Sequence, residues 1–230
     1  MTGEIRTDVL IVGAGPGGSS ASMVLSRHGI DHVLADRATF PRDKVCGDAL
    51  SGKVMRTLGR LDSGLARRLR EDARQLPSWG VIFTAPGGTS LRVPFSRSIG
   101  QGDAPGAIMP RVSFDELLFN AAVSRAARPL QNSRLDRFER TAQGWQVLAG
   151  AETRIHARIV IAADGANSKF ARHVAGLPME PRHHCAGVRA YYSGVSGLDP
   201  QGFIELIFLR DLLPGYLWIF PLPGGRANVG

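Results

Sequence analysis

The chain predicts an α/β fold, α+β overall, that opens on a parallel βαβ unit and adds a second, antiparallel sheet further on. Three observations predict it. Asp8 to Val12 and His32 to Ala35 are short apolar runs flanking a glycine-rich turn and a helix of small residues. Three short strand-like segments, separated by Gly144 and Gly150, stand before the next buried run. After Gly176 the pattern changes to strand candidates with hairpin-like breaks.

Taken in order, Asp8 to Val12 ends in Gly13 and reads as a buried parallel strand. Gly17 to His28 reads as a helix stopped by Gly29, and His32 to Ala35 as the second strand. Thr39 to Gly52 is polar and turn-rich, a connecting loop. Lys53 to Gln75 is helical, with interruptions predicted near Gly59 and Gly64. Trp79 to Val93 reads as a hairpin turning at Pro86-Gly87-Gly88, and Ser96 to Gly106 as a loop. Ser113 to Ala127 is the clearest helix, with Ser113 and Glu116 in a capping-box spacing and Pro129 beyond its end. Arg134–Phe138, Trp145–Ala149 and Thr153–Ala157 form a small meander, and Arg158 to Ala163 a separate buried strand. Ala186–Ser193, Phe203–Leu209 and Tyr216–Leu222 supply the second sheet.

Composition excludes several classes. With 230 residues, 43% of them hydrophobic, the chain can build one large domain or two smaller ones. It contains no run of about 18 apolar residues, so no membrane-spanning helix is predicted. Met1 to Asp8 does not have the character of a signal peptide, and a cytoplasmic address follows as the expectation, with peripheral membrane contact left open. The two cysteines, Cys46 and Cys185, make neither a disulfide framework nor a metal-ligand spacing, and the His183-His184-Cys185 run reads as a loop or strand edge; no metal is expected. The net charge is +8, but the densest cluster, Arg67, Arg68, Arg70 and Arg74, lies on a predicted helix and reads as a solvated face. No nucleic-acid motif accompanies it, and no nucleic acid is expected as a partner.

The turn after the first strand is Gly13-Ala14-Gly15-Pro16-Gly17-Gly18, and Gly13, Gly15 and Gly18 satisfy G-x-G-x-x-G. The first glycine permits the tight turn, the second a close approach to a pyrophosphate, and the third close packing of helix on strand. The helix start offers free amides and a positive dipole end to phosphates. Asp36, ending the next strand, stands where a carboxylate accepts hydrogen bonds from a ribose. It disfavours a 2′-phosphate, although Arg37 beside it keeps that point open.

A nicotinamide-type domain continues as βαβαβ, whereas this chain inserts a meander before its next buried strand. That strand leads into Asp164-Gly165-Ala166-Asn167-Ser168, followed by Arg172. Here the chain resembles flavoproteins of the p-hydroxybenzoate-hydroxylase fold. Asp164-Gly165 is similar to their D-G-x-x-S-x-x-R fingerprint, with Arg172 one residue later than that spacing. Arg111-Val112-Ser113-Phe114-Asp115-Glu116-Leu117-Leu118 resembles their R-x-x-F-D-x-x-L element. The resemblance implies a Rossmann-like FAD-binding domain with a β-meander insertion, over residues 1–77 and 105–178. It adds a partial antiparallel-sheet substrate domain from segments 78–104 and 179–230. Arg111 is then expected at the FAD phosphate or ribose, the alternative being a surface arginine. Gly165, with Asp164, falls near the pyrophosphate, and Leu135 joins the cofactor-lining candidates.

Within that fold the chain resembles the geranylgeranyl reductase family. Phe40-Pro41-Arg42-Asp43-Lys44-Val45-Cys46-Gly47-Asp48 is similar to the family's F-P-R-x-K-x-C-G-G loop, with Asp48 where a glycine is common. Tyr216-Leu217-Trp218-Ile219-Phe220-Pro221 matches Y-x-W-x-F-P, and Asn228-Val229-Gly230 follows. The resemblance implies FAD as cofactor, NAD(P)H or another reductant as electron donor, and a small apolar substrate, prenyl or aromatic. Arg42, Lys44, Cys46, Gly47 and Asp48 are expected near the flavin; for Arg42 and Lys44 a solvated loop charge is the competing reading. Cys46, Tyr216 and Trp218 are the candidate catalytic residues. No base is evident beside Cys46, so a thiolate nucleophile is not expected, and a small buried residue is the alternative. Tyr216, Trp218 and Phe220 share one face of a strand and are expected to form a flat aromatic wall, or else to pack the sheet core.

The family's third fingerprint, a Gly-Asp segment at the ribityl chain, has no counterpart in context: Gly47-Asp48 and Gly102-Asp103 stand elsewhere. The chain therefore reads as a fragment, expected to bind FAD weakly alone or to need a missing carboxyl-terminal segment or partner. Tight stoichiometric binding in an equilibrium titration contradicts that expectation. The leading function is reduction of isoprenoid carbon–carbon double bonds. A flavin monooxygenase acting on an aromatic or polyketide-like substrate, a flavin halogenase and a non-catalytic flavin-binding fragment are the rivals.

Overall fold

The computed structural model describes residues 3–125, 127–150 and 152–230. Its elements in chain order are β1 (Glu4–Val12), α1 (Pro16–Arg27), β2 (His32–Ala35), β3 (Ala49–Leu50), α2 (Gly52–Leu61), α3 (Ser63–Glu71), β4 (Leu76–Ser78), β5 (Gly80–Thr84), β6 (Ser90–Pro94) and β7 (Gly106–Ile108). They continue with α4 (Arg111–Val123), β8 (Arg128–Leu130), β9 (Leu135–Thr141), β10 (Gly144–Ala149), β11 (Thr153–Ala162), α5 (Lys169–His173), β12 (Ala190–Ser193), β13 (Ile204–Ile207), β14 (Leu217–Leu222) and β15 (Arg226–Val229). The longest helix, α4, has 13 residues, and among the described residues no helix is long and apolar enough to cross a membrane.

The chain forms two compact units, each from two separate stretches: Met1–Arg42 with Asp115–Cys185, and Asp43–Phe114 with Ala186–Gly230. The 43–77 and 105–114 stretches, grouped by sequence with the nucleotide-binding domain, cluster with the second unit, and 179–185, grouped with the substrate domain, with the first.

The first unit is built on a sheet of order β8-β2-β1-β11-β10-β9. β1 runs parallel to both β2 and β11, while β9, β10 and β11 form the antiparallel meander. The meander's last strand and the following buried strand are one continuous element, β11, because it serves two neighbours at once: Ile155 pairs with Ile5 on one side and Val147 on the other. The same pairing draws β1 back to Glu4, opposite Arg154, well before the apolar run begins. Leu10, Val33, Val147 and Ile155 meet in the core. Burying each such side chain contributes about 1.5–3 kcal/mol.

The second unit holds a mixed sheet, β12-β15-β14-β13-β5-β6, and a small sheet, β3-β7-β4. All neighbours in the larger sheet are antiparallel except β5 and β13, which run parallel with Ile82 opposite Glu205. The β5–β6 hairpin turns where the Pro-Gly-Gly sequence predicts. The helix divides once, between the two interruptions predicted near Gly59 and Gly64. Both glycines are helical, and the chain turns at Asp62, whose Oδ1 accepts from Leu65 N at 2.9 Å and starts α3.

α4 also differs from its prediction. It begins at Arg111, so Ser113 lies inside the first turn and is no capping residue. The acceptor at its start is the distant Asp48, whose Oδ1 receives Arg111 N at 3.1 Å. The helix ends at Val123; Ala126, inside the predicted span, lies outside the described residues.

Candidate functional site

The first unit gathers the glycine turn, Asp36 and the Asp164 turn around one cavity. Gly13 has φ +97°, and a Cβ there would lie 2.4 Å from the Ala163 carbonyl oxygen. A Cβ on Gly18 would lie 1.8 Å from the carbonyl oxygen of Gly13. These two positions admit no side chain, which sets α1 hard against the β1 turn. Gly15 is the N-cap of α1 and Pro16 follows, pre-set for a first helical position. No side chain caps this end. The amides of Gly17 and Gly18 therefore have no acceptor within the helix and face outward at its positive end.

Asp36, expected from sequence to meet a ribose, is engaged by the protein's own backbone. Its Oδ2 accepts from Ala14 N at 2.8 Å and its Oδ1 from Ala38 N at 2.9 Å, so it fastens the glycine turn to the end of β2. Each carboxylate oxygen keeps a second lone-pair site for a ligand hydroxyl.

A cavity of about 220 Å³ opens beside it, lined by Gly13, Asp36, Arg37, Leu135, Asp164 and Arg172 among others. Asp164 Oδ2 accepts from Lys169 N at 2.9 Å, whereas Oδ1 is buried without a hydrogen-bond partner. Gly165 takes φ +83° to make the turn, and Ser168 Oγ caps α5 by accepting from Ala171 N. Arg172 donates to the carbonyl oxygens of Ser168 and Asn167, its own turn. A dinucleotide fits these residues: a glycine-rich bend with outward amides, a carboxylate lining the adjoining cavity, and an unsatisfied buried acceptor in the cavity wall.

Arg42 completes this unit's polar set. Its Nη1 donates to Asp115 Oδ2 at 2.7 Å, and its guanidinium lies 5.0 Å from the Phe40 ring centroid. The solvated-loop reading of Arg42 is therefore incorrect, since its side chain is only 17% exposed. Asp115, fully buried, escaped prediction as a site residue; its signal was an acid between Phe114 and Leu118 on an otherwise core-facing helix. His183, His184 and Cys185 are exposed, and among the described residues no group of three or more His, Cys, Asp or Glu is placed to hold a metal.

The second unit contains the remaining candidates. Lys44 is exposed, and its N–H donates to Asp43 Oδ1; Arg189 pairs with Asp43. Asp48, at φ +70°, is fully buried, and its carboxylate joins three elements, α4, β12 and β15. Its Oδ2 accepts from Asn228 Nδ2 and from the Tyr191 hydroxyl, each at 2.7 Å. Asn228 Nδ2 also donates to the Cys46 carbonyl oxygen at 2.8 Å, and Asn228 Oδ1 accepts from Trp218 Nε1 at 2.9 Å. Burial pushes the Asp48 carboxyl above the usual aspartate range, outweighing the donors from Asn228, Tyr191 and Arg111 and the charge of Arg189. Burial and the Asp48 carboxylate together push the Tyr191 hydroxyl above its usual range.

The aromatic residues form a row rather than a flat wall. Tyr216 to Trp218 and Trp218 to Phe220 are each 6.3 Å between centroids, tilted by 60° and 40°. Burial grades along the row: Tyr216 is exposed, Trp218 intermediate and Phe220 buried. Phe220 packs in the core with Ile108 and Leu222, and Gly47 is bare because a Cβ there would lie 2.5 Å from its ring. Asn228, Tyr191 and Arg189 were missed as site residues. Of these only Asn228 carried a signal, its place in the Asn-Val-Gly ending.

Fold and cradle together define a dinucleotide-binding flavoprotein. Residues 6–196 match the family model described as FAD binding domain, and the chain belongs to that family. It is 32% identical over 240 residues to menaquinone reductase of Mycobacterium tuberculosis, covering 100% of this chain and 56% of that protein. It is 30% identical over 230 residues to digeranylgeranylglycerophospholipid reductase of Methanocaldococcus jannaschii, covering 97% of this chain and 54% of that protein. The chain thus spans about half the length of these relatives. A geranylgeranyl bacteriochlorophyll reductase-like protein from Thermoplasma acidophilum shares the fold, with TM-score 0.79 at 23% identity, over 99% of this chain and 56% of that one.

Proposed function

We propose that the chain serves an FAD-dependent reductase of carbon–carbon double bonds in an isoprenoid chain. The observation that carries this reading is the graded aromatic row of Tyr216, Trp218 and Phe220, anchored at Trp218 by the buried Asn228. An apolar chain gains most from such a surface, since aromatic faces remove it from water without asking for a hydrogen bond. Relatives named as reductases of menaquinone and of digeranylgeranyl lipids, both prenylated molecules, support the same substrate class.

The cofactor fits the residues of the first unit. The Gly13–Gly18 bend and Arg42 receive the diphosphate, Asp36 the ribose, and Asp164 a polar group in the cavity. When bound, reduced FAD would supply a hydride to one carbon, with a proton completing the other and NAD(P)H or another reductant furnishing the electrons. The chain's own contribution is to orient the apolar substrate along Tyr216 and Trp218 and to exclude water there. Asp48 and Asn228 hold the Cys46 loop and Trp218 in fixed relation, so two of the three candidate catalytic residues share one buried anchor.

The test is anaerobic incubation of the protein with FAD, a chemical reductant and prenylated lipids, followed by mass spectrometry. Products that gain two hydrogens per double bond support the reading. Unchanged prenyl lipids, together with oxygen incorporation into an aromatic acceptor when air is admitted, overturn it.

A further inference from the structure

We propose that Asp115 is a positioning residue for diphosphate binding, holding the Arg42 guanidinium over the Gly15 turn. The inference rests on the FAD reading of the first unit and adds the device that aims its arginine.

α4 holds Arg42 in two ways. Asp115 takes Nη1 directly, at 2.7 Å, and its own side chain has no exposure. Phe119, one helical turn further on, stacks on Phe40 with centroids 4.4 Å apart and planes 7° from parallel. Phe40 in turn lies beneath the guanidinium of Arg42. With one end of the fork taken by Asp115 and one face by Phe40, Nη2 is left 3.4 Å from the point where a Gly15 side chain would begin. No other hydrogen bond engages that nitrogen among the described residues. A phosphate oxygen at this point meets the outward amides of α1 and a charged donor already held in place.

The sign of the effect separates this role from a structural one. By charge alone, replacing Asp115 with a neutral residue removes a repulsive carboxylate and strengthens binding of an anion. A loss of anion affinity in that variant therefore reports lost orientation. If Asp115 merely neutralises a buried arginine, its replacement lowers stability and leaves the selectivity for phosphate unmoved.

The experiment is isothermal titration of the whole chain with ADP and with adenosine, and the readout is the ratio of the two affinities. Wild-type protein is expected to favour ADP, and Asp115→Asn to lower that ratio at least fivefold. Asp115→Glu, which retains a carboxylate, is expected to recover part of it. An Asp115→Asn ratio equal to or above wild type overturns the inference. Should Asp115→Asn show no cooperative thermal transition, Phe119→Leu gives the second reading. It keeps the ion pair but removes the stack, and is expected to lower the ratio at least twofold; an unchanged ratio overturns the inference. Wild-type protein that binds neither ADP nor FAD overturns the dinucleotide reading and this inference with it, an outcome distinct from a wild-type preference that the variants leave intact.

Discussion

Asn228 Nδ2 donates to Asp48 Oδ2 at 2.7 Å, and both side chains are fully buried. Through Asn228 the carboxylate reaches Trp218 and the Cys46 loop, and through its other oxygen it starts α4. Because burial raises the Asp48 carboxyl above its usual range, the folded protein holds that proton to higher pH than the unfolded chain does. The linkage sign follows: Asp48's contribution to stability is fullest below the unfolded-state value and declines as pH rises through the raised folded-state value. Asp48→Asn removes this slope. Urea unfolding at a series of pH values is expected to show the variant gaining on wild type from about pH 4 upward. Parallel profiles contradict the prediction.

The glycine turn tolerates no Cβ at Gly13 or Gly18. Gly18→Ala places a methyl against the Gly13 carbonyl and is expected to cost about 2–4 kcal/mol of folding stability. Gly29→Ala is the control. It meets nothing within 4 Å, and its positive φ alone sets the penalty, about 1 kcal/mol. Thermal or chemical denaturation of both variants decides the order; a larger loss at Gly29 sinks the argument.

Asp36 fastens Ala14 N and faces the cavity, so Asp36→Ala removes a turn support and a ligand acceptor together. FAD affinity is expected to fall about tenfold or more, the effect of losing about 1.5–3 kcal/mol of hydrogen bonding to a charged group. Flavin fluorescence titration measures it, and unchanged affinity counts against the site.

Trp218 and Tyr216 are expected to separate stability from substrate contact. Trp218→Phe leaves the Asn228 carbonyl oxygen buried without its indole donor and is expected to cost about 1–3 kcal/mol. Tyr216, 43% exposed, should tolerate Phe or Leu within about 0.5 kcal/mol. Loss of prenyl-lipid turnover in Tyr216→Leu without loss of stability then marks the substrate face, whereas retained turnover removes Tyr216 from it.

Much of this was legible in the sequence because it is local. Gly13, Gly18 and Asp36 announce a βα turn within one short segment, and the β5–β6 hairpin carries its own turn residues. What stayed hidden depends on partners distant in the chain. Nothing between Ala157 and Arg158 shows that β11 runs on without a break; its two different neighbours do. Ser113 carries a helix-start signature, yet Asp48 supplies the acceptor from another segment and moves the start to Arg111. The Arg42–Asp115 pair and the Asp48–Asn228 pair each join residues far apart in sequence, and a single chain read in isolation does not reveal such couplings.

Both units are assembled from interleaved stretches, which bears on how the polypeptide comes off the ribosome. When Arg42 has been made, β1 has β2 beside it but must wait for β11 to seal its other edge. β5 waits in the same way for β13. Closing such long loops is entropically costly, and sheets that depend on them fold slowly. Neither sheet can therefore close in simple chain order, and β1 lacks its second neighbour until the residues from Thr153 onward are available to pair with it.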